Sequence, residues 1–455
     1  MKATNYDLTQ GDILRKLLLV ALPIMGTQFL QMAYNLTDIF WLGRVGYDAQ
    51  AAAGTAGMYM WMSIAPMMIG RMGAEIGVSQ SLGRSDREAA LAFSQTALFL
   101  AAVTGILFGT MMFALRYPLI GFFNIAEAHV IQNAANYLAI VAVGMPFTYI
   151  SGAVTGIFNG AGNSRVPFAL NGGGLVVNMI LTPVFIFGLD MGVVGAALST
   201  TIVQVLVAIS SILVVRAAPI RPFDTLRLLT RPQWGRAKQI FRWTLPIVAE
   251  SASFTFLAML LGRFVAAFGV GAMAVQRVGI QIESLTWMIG IGFASAVTAF
   301  VGQNYGAGQW SRIRRGNVLA LRIMVSWGVF TAVIVWVWGA QLFSIFMSEP
   351  ELIAEGVRFL RILSIGQVLC SLEFLSIGVF RGVGKTMPPL VVSSGANALR
   401  VVIAYALSQT ALGLTGIWWG FTIGVCLRSV ALYIWYRYHM RQMPKENEPA
   451  EVPAG

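Results

Sequence analysis

The sequence predicts an all-α integral membrane protein with twelve transmembrane helices, arranged as two parallel six-helix repeats around a central cleft. Three observations support this fold class: an apolar composition, a regular succession of long apolar segments, and an internal duplication. Of the 455 residues, 57% are hydrophobic and 11% are charged, and the mean hydropathy is +0.72. Soluble domains carry about 25% charged residues, so this composition excludes an ordinary aqueous fold.

Twelve apolar segments are each long enough to cross a hydrocarbon core, which needs about 20 helical residues. Gly, Pro, Asn or charged residues separate them, as in LGRSDRE at 82–88 and GAGNSR at 160–165. The predicted spans are 17–40, 51–80, 89–114, 131–157, 167–187, 193–215, 243–268, 272–304, 318–345, 355–380, 388–408 and 413–436. Because the number of spans is even, both termini are expected on the same side of the membrane.

Basic residues are distributed very unevenly between the two sets of loops. The tails and the loops on their side carry 21 of the 31 lysines and arginines, whereas the opposite loops carry only Arg44 and Arg116. Cytoplasmic loops are enriched in Lys and Arg, so both termini are predicted to lie in the cytoplasm. This asymmetry also accounts for the net charge of +12, and nucleic-acid binding is not needed to explain it.

The second half of the chain repeats the first. The tripeptide LPI at 22–24 recurs 223 residues later at 245–247, and the G-x-G at 160–162 recurs 222 residues later at 382–384. Each half contains an even number of spans, so the halves have the same orientation and form parallel repeats with a cleft between them. The predicted divisions are an N-lobe at 1–216, a cytoplasmic linker at 217–242, a C-lobe at 243–440 and a cytoplasmic tail at 441–455.

One face of the first span is polar. Gln28, Gln31, Asn35 and Asp38 recur at helical spacing and lie within roughly 80° of one another around the helix axis. An aspartate near the centre of a spanning helix costs about 2.5–3.5 kcal/mol on insertion. A carboxylate placed there usually faces a cavity and has a function, so Asp38 is the leading candidate for the functional site.

Several motifs resemble those of the multidrug and toxic compound extrusion (MATE) transporters, and most closely the DinF-like branch. They are P-x4-Q beginning at Pro23, N-x2-D-x4-G at 35–43, VGQNYGAG at 301–308 and the repeated G-x-G. The resemblance covers nearly the whole chain. It implies a secondary active exporter in the bacterial inner membrane, a monomer surrounded by membrane lipids. Such exporters move lipophilic, mostly cationic organic compounds by cation-coupled antiport and use an ion gradient in place of a cofactor.

The resemblance also implies roles for particular residues. Asp38 is expected to couple transport to the ion, within a network of Asn178 and Thr182 on span five and Thr200 on span six, with Asn35 beside it. Relatives thought to bind sodium often carry an acid at position 182. Because a sodium site gathers several oxygens around a negative charge, whereas a lone carboxylate can exchange a proton, H+ is preferred over Na+ as the coupling ion.

Candidate substrate-lining residues combine polar, methionine and aromatic side chains. Methionine is flexible and polarisable, and aromatic faces attract organic cations. Ordinary helix packing accounts for the same residues equally well, so both interpretations stay open. The candidates are Gln31, Met32, Tyr34, Met60 and Trp61.

Two other functional classes are weaker alternatives. A flippase for a lipid-linked anionic precursor would use cations in its cleft, and Arg71, Arg263, Arg277 and Arg400 lie inside spans. A membrane-embedded enzyme is not expected, because the sequence shows no nucleophile–base pair and no cluster of metal ligands. The acids of the second half are most simply interpreted as partners of buried arginines. They are Glu283, Glu373 and, with either interpretation open, Glu250.

Overall fold

The computed structural model describes residues 6–123, 127–217 and 232–444, and these ranges are helical throughout, without strands. A single π-helical turn, Val184–Gly188, continues the seventh helix. The helices are α1 Ile13–Val45, α2 Tyr47–Met62, α3 Ile64–Gly83, α4 Arg87–Ala114, α5 Arg116–Gly121, α6 Ala128–Gly160, α7 Arg165–Pro183, α8 Gly192–Ala217, α9 Trp234–Ala266, α10 Val270–Gly306, α11 Trp310–Ser344, α12 Pro350–Gly382, α13 Met387–Ser408 and α14 Gly413–Gln442.

Eleven helices of the described ranges are long and apolar enough to cross a membrane. They are α1, α4, α6, α7 with its π-helical turn, and α8 to α14. Together α2 and α3 occupy the place of the remaining predicted span. The predicted all-α membrane fold is therefore confirmed, with one span divided between two helices.

The second span was expected as one helix at 51–80, but it is broken at Ser63. Pro66 has no N–H to donate to the carbonyl of Met62, and a proline ring crowds the carbonyl four residues before it. The Ser63 hydroxyl donates to the Met60 carbonyl at 2.6 Å, and the Ser63 carbonyl accepts from the Tyr149 hydroxyl at 2.8 Å. These two hydrogen bonds hold the break in place.

The two halves repeat helix by helix. The counterpart of α2 and α3 is α10, which is unbroken because Ile289 stands at the position equivalent to Pro66. The turns after α6 and α12 also match, since Gly162 and Gly384 have φ values of 83° and 78°. A side chain is strained at such positive φ values, so both turns require glycine. This correspondence supports the duplication found in the sequence.

The chain forms two compact units, each with its own buried core. The first comprises Met1–Asp7 and Leu22–Val248, and the second comprises Leu8–Ala21 and Ala249–Gly455. In the first unit α6 packs against α2, α3, α4 and α8, and in the second unit its counterpart α12 packs against α10, α11 and α14. The central helix of each unit therefore occupies the same place in the repeat.

The start of α1 belongs to the second unit, while the rest of that helix belongs to the first. Within the second unit, the backbone N–H of Leu8 donates to Oε1 of Gln303 at 2.9 Å. The Leu8 carbonyl accepts from Asn304 and from Arg312, both at 3.2 Å. The VGQNYGAG motif thus anchors the segment that precedes α1.

The predicted lobe and linker boundaries fall partly outside the described residues. Residues 218–231 of the expected linker and 445–455 of the expected tail are not described. α9 begins at Trp234, so its first turns lie in the segment expected as linker. α5, a short helix between the third and fourth spans, was not anticipated from the sequence.

Candidate functional site

A chain of hydrogen bonds links three of the predicted site residues within the first unit. The amide nitrogen of Asn178 on α7 donates to the Thr200 hydroxyl on α8 at 3.4 Å. That hydroxyl donates in turn to Oδ2 of Asp38 on α1 at 3.3 Å. Asn178 is fully buried and Thr200 is nearly so. The structure therefore brings the aspartate of the first span to the side chains of the fifth and sixth.

Thr182 lies one turn beyond Asn178 on the same face of α7, because residues four apart are neighbours on a helix. Its hydroxyl forms a hydrogen bond of 2.9 Å with the hydroxyl of Ser199, and both residues are fully buried. Ser199 was not singled out from the sequence. The run Ser199-Thr200-Thr201 in an otherwise apolar span was the available signal, since buried hydroxyls need hydrogen-bond partners.

Two oxygen atoms of this cluster have no hydrogen-bond partner among the described residues. They are Oδ1 of Asp38 and Oδ1 of Asn178, and both atoms are buried. A buried carboxylate oxygen with no donor is costly, unless it binds a proton or a small cation. No group of three or more His, Cys, Asp or Glu residues occurs in the described parts of the chain. The free acceptors beside Asp38 are thus suited to a single proton or to a small hard cation.

Two tyrosines lie in the neighbourhood of the carboxylate. The Tyr34 hydroxyl, one turn before Asp38 on α1, donates to the carbonyl of Asn171 on α7 at 3.4 Å. Gly174 leaves the space for this ring, because a Cβ added there would collide with the Tyr34 hydroxyl. Tyr137 on α6 is also buried within electrostatic range of Asp38. Tyr34 thus ties α1 to α7 beside the acid, which supports a fixed position for Asp38.

The other predicted residues lie apart from this hydrogen-bonded cluster. Gln31 and Asn35 are exposed, and Met32 is half-buried. Met60 packs against the core of the first unit, whereas the neighbouring Trp61 is 66% exposed. Packing therefore explains the position of Met60. The exposed side chains of Gln31, Asn35 and Trp61 can contact lipid or substrate.

The acids of the second unit have partners of two kinds. Glu373 forms a buried salt bridge of 2.9 Å with Arg428, as the pairing interpretation expected. Glu250 lies 3.6 Å from Arg381. Glu283 instead accepts hydrogen bonds from Trp287 at 3.2 Å and from Gln367 at 3.3 Å. Neutral donors thus replace the direct arginine contact expected for Glu283.

Comparison with known proteins places the chain among transporters. The Probable multidrug resistance protein NorM of Thermotoga maritima is 27% identical over 93% of this chain and 92% of its own length. The Probable multidrug resistance protein YpnP of Bacillus subtilis is 27% identical over 96% of this chain and 97% of its own length. These relatives do not favour the flippase alternative.

The fold agrees with solved structures. A crystal structure of MATE in the bent conformation superposes with a TM-score of 0.91 at 22% identity and covers 97% of this chain and 99% of its own. The family model for MatE matches residues 23–184 and 246–406, one segment in each repeat. The chain therefore belongs to the MatE family, whose members are membrane transporters and not enzymes.

Proposed function

We propose that this protein exports several kinds of lipophilic, mostly cationic organic compounds by antiport with protons, and that Asp38 carries the coupling proton. Multidrug transport is supported by family membership and by relatives named as multidrug resistance proteins. The observation that carries the role of Asp38 is its buried, unpartnered Oδ1 beside the hydrogen-bonded Thr200 and Asn178. We place the protein in the DinF-like branch on the same residues.

The chemistry requires that proton and substrate exclude each other. Ionised Asp38 attracts a cationic substrate or favours the helix geometry that admits one, and protonated Asp38 does neither. A proton that moves inward gains about 2.3 kcal/mol per 100 mV of membrane potential, and a singly charged cation that moves outward loses the same amount. One-for-one exchange is therefore driven by the difference in proton concentration across the membrane. Thr200 holds one carboxylate oxygen, so the proton is taken up by the other, Oδ1.

Exclusion follows one of two routes. The substrate competes directly for the carboxylate, or protonation alters the bend of α1 near Pro23. The Thr27 hydroxyl donates to the Pro23 carbonyl at 3.0 Å. In a regular helix the same carbonyl accepts from the backbone N–H of Thr27, so the hydroxyl competes with the helical hydrogen bond. Gly26 lies against the Phe168 ring of α7, where a Cβ would be only 2.6 Å from a ring carbon. These two contacts define the place where α1 would bend.

Position 182 carries a threonine where relatives thought to bind sodium often carry an acid, so Asp38 is the single carboxylate of the proposed network and we prefer H+ over Na+. The Thr182 hydroxyl bonds to that of Ser199, so position 182 adds a neutral partner and no second charge. We infer that the protein works as a monomer in the bacterial inner membrane, with both termini in the cytoplasm and membrane lipids around it. The expected substrates are cationic dyes and disinfectants. Their proposed lining is Gln31, Met32, Tyr34, Met60 and Trp61, and Asn35 stays with the proposed coupling residues.

The test is cationic-dye transport in proteoliposomes, with a proton gradient or a sodium gradient imposed separately. Wild type is expected to respond to protons, and Asp38→Asn is expected to lose this response. Asp190→Asn is the matched control, because Asp190 is exposed in the turn before α8 and has a φ of 52° that asparagine also tolerates. Transport driven by sodium alone, or unimpaired transport by Asp38→Asn, would contradict the proposal.

A further inference from the structure

A groove opens on the surface of the second unit between α11, α12 and α14. Its volume is about 410 Å³. Apolar side chains form most of its walls, and two of them, Trp336 and Ile365, are about half exposed. Two arginines are its only charged residues. The lining consists of Trp336, Ala354, Val357, Arg358, Arg361, Ile362, Ile365 and Trp419.

The described residues balance one positive charge of the groove and leave the other without a carboxylate. Arg358 forms an ion pair of 3.0 Å with Glu355. Arg361 pairs with no carboxylate of the described residues, and its guanidinium carbon lies 5.3 Å from the centroid of the Trp336 ring. Guanidinium groups bind phosphate through a planar fork of donors, so Arg361 offers a free site for an anionic group.

Two tryptophans of the groove lie toward one end of the helices of the second unit. α11 ends where α12 and α14 begin, and all three contribute residues near that end. At 1.5 Å per residue, Trp336 lies about 12 Å before the end of α11 and Trp419 about 9 Å after the start of α14, while Arg361 lies about 17 Å after the start of α12. Tryptophan is enriched at the boundary between the hydrocarbon core and the headgroups, so the two tryptophans favour this level for the groove.

The Arg361 side chain is expected to extend toward the N-terminal end of α12. Side chains on a helix lean toward its N-terminus, and α12 begins at the end where the groove lies. A long arginine side chain therefore reaches the headgroup level while its stem stays among apolar groups. Ile365 follows one turn later on the same face, at the depth where an acyl chain would pass.

We propose that this groove binds an anionic phospholipid, with the phosphate on Arg361 and an acyl chain against Trp336, Ile365 and Trp419. A zwitterionic phospholipid carries its own cation, which competes with the guanidinium for the phosphate. An anionic headgroup such as phosphatidylglycerol keeps a net attraction to the unpaired arginine. The site thus selects by headgroup charge and is independent of the coupling residues of the first unit.

Native mass spectrometry of the full chain in detergent, titrated with phosphatidylglycerol or phosphatidylcholine, tests this proposal. Wild type is expected to retain phosphatidylglycerol in preference to phosphatidylcholine. Arg361→Gln is expected to weaken phosphatidylglycerol binding about tenfold, the loss that corresponds to one hydrogen bond to a charged group. Arg361→Lys keeps the charge and is expected to keep the preference.

Arg116→Gln is the matched control, because Arg116 also stacks on an aromatic ring, 4.6 Å from the centroid of Phe113, but lines no part of this groove. It is expected to bind phosphatidylglycerol as wild type does. Equal retention of the two lipids by wild type, or an equal loss in Arg361→Gln and Arg116→Gln, would overturn the proposal. The wild-type comparison decides even where a variant fails to fold.

Discussion

The hydroxyl of Thr200 joins α8 to α1 by donating to Oδ2 of Asp38 at 3.3 Å, while it accepts from Asn178. One side chain thereby holds the acid of the first span against two later spans. A hydrogen bond to a charged group contributes about 1.5–3 kcal/mol, and the length of 3.3 Å puts this contact in the lower part of that range, where it still helps to position the carboxylate. The proposed coupling chemistry depends on that position.

Thr200→Ala removes the donor and leaves Oδ2 of Asp38 with one partner fewer. The initial rate of proton-driven dye transport in proteoliposomes is expected to fall roughly tenfold, the factor that corresponds to the lower part of that energy range. Thr200→Ser keeps the hydroxyl and is expected to restore most of the rate. A rate for Thr200→Ala equal to that of wild type would show that the hydrogen bond has no part in coupling.

Glu373 and Arg428 form a salt bridge with both side chains buried, so loss of one partner leaves a charge without compensation in the interior. Glu373→Gln is expected to lower the stability of the detergent-solubilised protein by about 3 kcal/mol. The midpoint of thermal unfolding measures this loss. A double variant, Glu373→Leu with Arg428→Met, removes both charges and is expected to recover part of it.

The exposed pair of Asp48 and His129, with atoms 2.8 Å apart, is the control for that measurement. Asp48→Asn is expected to change the stability by less than about 1 kcal/mol, because solvent screens exposed ion pairs. Similar losses for Asp48→Asn and Glu373→Gln would mean that burial does not decide the effect.

α13 and α14 are in close backbone contact at Gly420, where an added Cβ would lie 2.5 Å from the Cα of Ala404. Gly420→Ala therefore forces two helix backbones apart and is expected to destabilise the protein by about 1–3 kcal/mol. Gly395 on α13 faces open space, so Gly395→Ala is expected to be neutral or stabilising by up to about 1 kcal/mol. Thermal unfolding of the two variants side by side measures the difference. Equal effects would contradict the close contact.

The sequence predicts the helices of this fold well because the bilayer imposes their length and composition. It does not predict the break at Ser63, because a hydropathy pattern does not register the missing N–H of Pro66. The equivalent position of the second half carries Ile289, and the helix there, α10, is unbroken. Apolarity thus sets where a span lies, and a single proline sets whether it is continuous.

The candidate site was predictable in its residue types and less so in its pairings. Helical spacing places Asn178 and Thr182 on one face, but their partners lie on another helix, whose rotation the sequence leaves open. In the structure, Asn178 forms its hydrogen bond with Thr200, and Thr182 forms its hydrogen bond with Ser199. Neighbouring residues on a helix point about 100° apart, so the sequence alone offered no means to assign both contacts.

The segment before α1 supplies the last prediction. The backbone N–H of Leu8 donates to Gln303 at 2.9 Å, and Leu8 is fully buried. Gln303→Ala removes the acceptor, and a buried donor left without a partner costs about 1–3 kcal/mol. Hydrogen exchange of the peptide containing Leu8 is expected to accelerate about tenfold, since 1.4 kcal/mol of local opening corresponds to that factor.

Gln303→Glu keeps an acceptor at the same place and is expected to preserve the protection of Leu8. Gln341→Ala changes an exposed glutamine of the same unit and is expected to leave the exchange unaltered. Because Asn304 and Arg312 still hold the Leu8 carbonyl, the segment should loosen without detaching. Unchanged exchange in Gln303→Ala would mean that these two contacts alone anchor the segment before α1. The VGQNYGAG motif would then act through Asn304 and not through Gln303.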